Sequence, residues 1–461
     1  MLEDILQKHK DLFEAGMTSV LRGQENRRRL IVLQNGNLVQ NERSSERGIC
    51  ARVSLNGSYG FASNAEYSDD AAIKTIKAAT ENAKYLARYN NENKVFSKVK
   101  AGNYIRSKRM IIDFEQKRLI DLCKEIDAYI EKTYTDLVSR TVVYREDTME
   151  KIIVTSDAND GHVAYPRCTI YVIMTKMSKD NNPVERAKSF SGCGNIEDNF
   201  ADLSEMFEKI DKQYKELCDK AEGVYADAGV KSVILDPSIA GMIAHEAVGH
   251  TVEADLVLGG SVAGPYLGKR VASDLVSIVD YASEAFGKEA PLPVYIDDEG
   301  VEARDAVLVE NGILKGYMHD RESADHFGVA ACGNARGYAF SDEPLIRMRN
   351  TTVLPGKDKL EDMIASVDDG YYLLASGNGQ ADLTGEFMFG VTMGYEIKKG
   401  KLGRAILDTT VSGVAFDMLK TVDMVSDSVT WSAAGTCGKK QMMPVSMGGP
   451  AIKCEIMIGG R

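Results

Sequence analysis

The sequence predicts an α+β protein of two domains. Three observations support this fold class: Asn-Gly pairs between apolar segments, long segments with apolar residues at helical spacing, and a second half rich in short strands and glycine. The chain has 461 residues, more than one ordinary domain of roughly 100–200 residues contains. We place the boundary near residue 228, which gives an N-terminal α+β domain (1–228) and a C-terminal domain (229–461).

The first half mixes helices with β-hairpins. Asn35-Gly36 and Asn56-Gly57 each lie between predicted strands, and Asn-Gly is favoured in such turns because both central residues need positive φ. Helices are predicted near residues 2–17, 68–89, 115–132 and 196–225 from composition and from apolar residues at helical spacing.

The second half is predicted to form one extended, mainly antiparallel sheet with few helices. It begins with a strand at 230–235, and Asn311-Gly312 predicts a hairpin between strands 307–310 and 313–314. Further turns are predicted at Gly377, Gly379 and Gly400.

Composition narrows the classes of function. An apolar fraction of 44% allows sizeable cores, and a net charge of -12 argues against binding to nucleic acid or an anionic membrane, which reward clustered Lys and Arg. No apolar run approaches the roughly 18 residues of a membrane span, and the N-terminus lacks an export signal. Eight scattered cysteines suggest reduced thiols. We therefore expect a cytoplasmic protein.

The most informative segment runs from Asp236 to His250. Asp236 is placed to cap a helix and Pro237 to occupy its first turn. The apolar stripe that this helix would bury consists of Ile239, Ile243 and Ala247.

The same helix carries His245, Glu246 and His250. These residue types suit a hydrolytic zinc site, in which imidazoles hold the metal and a carboxylate takes a proton from metal-activated water. The histidines are five residues apart, so on an ideal helix they would point about 140° from each other. We expect a π-bulge to realign them, with Gly249 easing the distortion. Spacing alone equally allows a surface pair of Glu246 with His250.

Resemblance across the second half extends this interpretation. From about residue 231 to 461 the chain resembles the TldD branch of the TldD/PmbA family, and before that the similarity is diffuse. The matching motifs are His245-Glu-Ala-Val-Gly-His250, Ile296-Asp-Asp-Glu-Gly300, Glu310-Asn-Gly-Ile-Leu-Lys-Gly-Tyr-Met318, Gly333-Asn334 with Arg336, and Cys437-Gly438-Lys439.

The resemblance implies a zinc-dependent peptidase that hydrolyses short or unfolded peptides inside a closed dimer. It implies zinc on His245 and His250 with a distant cysteine as third ligand, and Glu246 as general base. Cys437 matches the family position, and Cys454 is the competing cysteine. Glu253 is an alternative ligand, or the partner that orients His250.

Several questions stay open at this stage. The dimer is a homodimer or a heterodimer with a related TldE/PmbA-like chain. A scaffold with structural zinc and a zinc amidase for a small molecule are the competing functions. His319 and His326 are expected at the solvated surface, with oxyanion stabilisation as the alternative. Roles are unassigned for Tyr317, Tyr338, Arg336 and Arg347.

Overall fold

In the computed structural model of the chain, the described residues are 2–90, 99 and 102–459. Helices account for 25% and strands for 42% of the structure, which confirms the α+β class. The α-helices are Leu2–Lys8, Asp69–Ala87, Gln116–Thr133, Ile196–Phe200, Ser204–Ala221, Pro237–Met242, Ala254–Leu258, Arg321–Phe327, Leu360–Ala365 and Ala415–Lys420. None of the helices in these ranges is long and apolar enough to span a membrane.

The first part of the chain forms one eight-stranded sheet. Its strands are Thr18–Gln34, Asn37–Leu55, Ser58–Asn64, Tyr104–Arg106, Ser139–Thr155, Asp160–Tyr165, Arg167–Met177 and Pro183–Cys193. The first two strands are long and pair with each other along their full length. The helix predicted over 2–17 is shorter than expected: it ends at Lys8 and continues as a 3-10 turn, His9–Leu12, after which the backbone of Phe13 is extended.

Three Asn-Gly pairs form the predicted hairpin turns. At 35–36, 56–57 and 311–312, φ is 47–50° for asparagine and 76–81° for glycine. These left-handed conformations match a two-residue turn to the twist of the flanking strands. Local sequence therefore determined the turns of three hairpins.

The strands after residue 228 are mainly antiparallel, as predicted, but they form two main sheets of seven and six strands instead of one. Two parallel pairings occur, between Gly229–Leu235 and Asp369–Ala381 and between Asn350–Val353 and Ser446–Gly449. The remaining strands are Ile278–Tyr281, Glu284–Ala285, Lys288–Glu289, Ala306–Glu310, Ile313–Leu314, Ala335–Arg336, Leu345–Ile346, Glu386–Lys398, Lys401–Ile406, Thr409–Val414, Met424–Val425, Thr430–Ser432, Thr436–Cys437, Met443–Pro444 and Ile452–Ile458.

Two of the predicted glycine turns are wrong. Gly377 and Gly379 lie inside strand Asp369–Ala381, where its register against Glu386–Lys398 shifts. A Cβ at Gly379 would collide with the Phe389 ring, so glycine serves close packing here. Gly400 does form a turn, with a φ of 72°.

The largest core of the C-terminal part surrounds the segment that carries the histidines. Ile239, Ile243 and Ala247 are at most 1% exposed and pack with apolar residues of both main sheets, which confirms the predicted buried stripe. Burying this face on two sheets fixes the position of the segment relative to the C-terminal strands.

Candidate metal centre

The helix begins as the sequence predicts. Asp236 accepts hydrogen bonds from the backbone N–H groups of Ser238 at 3.1 Å and Ile239 at 3.0 Å. Pro237 occupies the first helical position, where its missing N–H leaves no gap in the hydrogen-bond pattern.

The helix then widens, which confirms the expected distortion. Residues Ile243–Gly249 form a π-helical segment, and the backbone N–H of His250 donates to the carbonyl of His245 five residues earlier. Gly249 has an ordinary helical φ of -53°. A Cβ there would collide with the sulfur of Met348, so glycine is needed for close packing and not for backbone freedom.

The widened turn brings both histidines to one place. Their ring centroids are 5.2 Å apart. Cys437, on the short strand Thr436–Cys437, joins them, and its Sγ lies 3.3 Å from His250 Nε2. One candidate ligand atom from each of the three residues lies within 4.8 Å of the others.

The donor set fits a zinc ion. His245 is fully buried, and neither of its ring nitrogens has a hydrogen-bond partner among the described residues. Leaving a buried polar group unpaired costs about 1–3 kcal/mol, and a metal at this point would satisfy one nitrogen. Two imidazoles and a thiolate are three of the ligands that zinc prefers, and a catalytic site keeps its fourth position open.

The two candidate cysteines have opposite environments. Burial opposes ionisation of Cys437, but the neighbouring imidazoles of His245 and His250 outweigh it and lower the pKa of the thiol to about 3. Burial raises the pKa of Cys454, beside Asp423 and Glu455. Metal ligands are thiolates, so these environments favour Cys437.

Two carboxylates flank His250. Glu246 is 22% exposed at its side chain, and Oε2 lies 3.7 Å from His250 Nε2, the nitrogen that also faces Cys437. Glu253 is fully buried, and its Oε2 lies 2.7 Å from Nδ1 on the other side of the ring. Glu246 therefore lies beside the candidate ligand atoms, whereas Glu253 contacts the imidazole of His250 at Nδ1, on the side away from Cys437.

Comparisons with known proteins identify the family of the chain. The model for the PmbA/TldA metallopeptidase C-terminal domain matches residues 228–460, and that for PmbA/TldA metallopeptidase domain 1 matches residues 20–83. A metalloprotease of Methanocaldococcus jannaschii is 32% identical over 97% of this chain and 98% of its own. The chain belongs to the PmbA/TldD metallopeptidase family.

Two further comparisons concern a relative named for its metal and a solved structure with a similar fold. A zinc metalloprotease TldD homolog of Saccharolobus solfataricus is 30% identical over 75% of this chain and 76% of its own. The crystal structure of TldE from Thermococcus kodakarensis has the same fold, with a TM-score of 0.77, 18% identity and full coverage of both chains.

The structure also locates the residues that sequence left open in this family member. His319 is 5% exposed, so the surface prediction is wrong; it packs on the rings of Tyr317 and Phe327. Burial lowers its pKa to about 4, although Asp320 opposes this shift. His326 is exposed, as predicted.

Tyr317, Tyr338 and Arg336, to which the sequence assigned no role, form hydrogen bonds with groups other than the side chains of the three candidate ligands. Tyr317 donates to the Gly264 carbonyl at 3.2 Å, and the Tyr338 hydroxyl lies 3.1 Å from Asp147 Oδ1. The Arg336 guanidinium donates to the carbonyls of Met348 and Pro444. These contacts indicate structural roles.

Arg347 has a role that sequence reasoning missed. Its fully buried guanidinium donates to the backbone carbonyls of Cys437 at 2.8 Å and of Lys439 and Gln441 at 2.9 Å. From the N-terminal sheet, Arg167 donates to the carbonyl of Gly435 at 2.8 Å. Two distant arginines thus hold the segment around Cys437, and no local sequence signal shows which carbonyls they would reach.

Proposed function

We propose that this chain is a zinc-dependent peptidase that hydrolyses short or unfolded peptides with broad sequence tolerance. Its zinc would be held by His245, His250 and Cys437. The observation that carries the proposal is the fully buried His245, which has no hydrogen-bond partner among the described residues and lies beside the Cys437 sulfur and a second imidazole.

The residues divide the chemistry between them. Zinc, when bound, supplies a Lewis acid that polarises a peptide carbonyl and lowers the pKa of water. Glu246 is the general base that accepts the proton of the attacking water and returns it to the leaving amine. Its partly exposed carboxylate beside His250 suits this task. Glu253 holds Nδ1 of His250, which directs Nε2 towards Cys437.

A structural zinc site is the competing proposal. Such a site is closed by four protein ligands, whereas the cluster found among the described residues offers three. A structural site also has no need of Glu246, a partly exposed carboxylate next to the ligands. These two features favour catalysis.

We also propose a cytoplasmic dimer whose site is enclosed, with an identical chain or a TldE/PmbA-like chain as partner. The support is the family membership and the need to keep an unselective hydrolase from folded proteins. Light scattering tests it: a single chain that cleaves peptides as a monomer would contradict the dimer.

Zinc content and cleavage of peptides by the purified protein test the function. We expect about one zinc per chain and hydrolysis of unstructured, casein-like substrates and short peptides, lost with a chelator and restored by zinc. A tightly folded protein serves as the uncleaved control. Stoichiometric zinc without any peptide cleavage would favour the structural site, and hydrolysis restricted to small amides would favour an amidase.

A further inference from the structure

A lysine connects the two segments that bear the candidate ligands. Lys439 follows Cys437 by two residues, and its side chain is only 9% exposed. Its Nζ lies 3.2 Å from Glu253 Oε2 and donates to Asp255 Oδ1 at 2.9 Å. Because Glu253 Oε2 also contacts His250 Nδ1 at 2.7 Å, one ammonium group joins the cysteine segment to the carboxylate behind the histidine.

We propose that Lys439 is a positioning residue of the zinc site that acts through Glu253 and His250 without touching the metal. The proposal rests on the zinc peptidase site proposed above. It assigns to Lys439 two effects: it balances the charge of Glu253, and it ties the Cys437 segment to the histidine helix.

The charge effect follows from burial. Glu253 is fully buried, and its Oε1 has no hydrogen-bond partner among the described residues. A buried carboxylate is costly unless a cation or several donors compensate it. Lys439 supplies the cation, 3.2 Å from Glu253 Oε2, the oxygen that also lies 2.7 Å from His250 Nδ1. With Nδ1 held by Glu253, the other ring nitrogen, Nε2, faces Cys437.

The tethering effect follows from the neighbouring strand. Lys439 Nζ donates to the Ile346 carbonyl at 3.1 Å, while Arg347 donates to the Lys439 carbonyl at 2.9 Å. Residues 346 and 347 therefore hold Lys439 by its side chain and by its backbone. These contacts fix the position of Lys439, whereas a lysine side chain in solvent moves freely. Lys440, the next residue, is exposed and provides a matched control.

Zinc affinity of the full-length protein tests the proposal, measured by competition with a chromophoric chelator. Lys439→Met should weaken affinity roughly 10- to 100-fold, the usual effect of removing a partner behind a ligand. Lys440→Met should leave it within about twofold. Cobalt(II) serves as a spectroscopic probe: its thiolate charge-transfer band should weaken or shift in Lys439→Met and not in Lys440→Met.

Combination with Glu253→Gln separates positioning from general destabilisation. If Lys439 acts through Glu253, adding Lys439→Met to Glu253→Gln should weaken zinc binding by less than about threefold further. Lys439→Arg, which keeps the charge, should recover most of the affinity. Should Lys439→Met fail to fold, Lys439→Gln takes its place with the same expectation.

Two results would overturn the positioning role. One is unchanged zinc affinity and an unchanged cobalt spectrum in Lys439→Met; the other is a full additional loss in the Glu253→Gln background. Failure of the wild-type chain to bind zinc is a different outcome, because it removes the proposed metal site itself.

Discussion

His319 should make folding stability depend on pH. The ring is 5% exposed, packs between Tyr317 and Phe327, and has a pKa lowered from 6.5 to about 4. The unfolded chain therefore takes up this proton at higher pH than the folded chain. Stability from His319 is fully present above pH 6.5 and is lost as the pH falls towards 4.

The magnitude follows from the two pKa values. At pH 5 most unfolded chains carry the proton and most folded chains do not, which lowers the free energy of unfolding by about 2 kcal/mol relative to pH 7.5. Chemical denaturation of wild type and His319→Gln at both pH values measures this. The variant should lose stability at pH 7.5, because its packing is poorer, and should lose about 2 kcal/mol less than wild type on acidification.

His326→Gln is the matched control, because His326 is exposed on the following helix. It should show the same pH dependence as wild type. Equal acid sensitivity of His319→Gln and wild type would refute the argument that burial holds His319 neutral.

Three further predictions concern the metal centre. Glu246→Gln should keep zinc but lower peptidase turnover at least about a hundredfold; near-normal turnover would assign Glu246 to structure. Cys437→Ser should lose zinc and activity together, whereas Cys454→Ser should change neither by more than a small factor. Full zinc in Cys437→Ser with loss of zinc in Cys454→Ser would reverse the ligand assignment. Arg347→Met leaves three backbone carbonyls without their donor. The free energy of unfolding of the metal-free protein, measured by thermal unfolding, should therefore fall by about 3 kcal/mol or more, and zinc stoichiometry should fall as well. Wild-type stability in this variant would contradict the role of Arg347 in holding the Cys437 segment.

Local features of the fold could be predicted because they depend on neighbours in sequence. Asn35-Gly36 forms its turn because of backbone sterics, and Asp236 caps its helix because its side chain reaches N–H groups two and three residues ahead. The turns predicted at Gly377 and Gly379 are wrong because glycine also allows close packing between strands. Such packing depends on a residue distant in sequence, such as Phe389 beside Gly379.

The sequence by itself determined the chemistry of this protein: the residue types of His245, Glu246 and His250, and a five-residue spacing that an unbroken α-helix cannot reconcile with a shared metal. Only the tertiary structure decided the rest. It widened the turn and brought Cys437 to within 3.3 Å of His250 across 187 positions of the chain. It also placed Arg347 and Lys439 around that cysteine. Contacts over such distances come from the packing of two sheets on one helix, and no periodicity along the chain encodes which side chains that packing brings together.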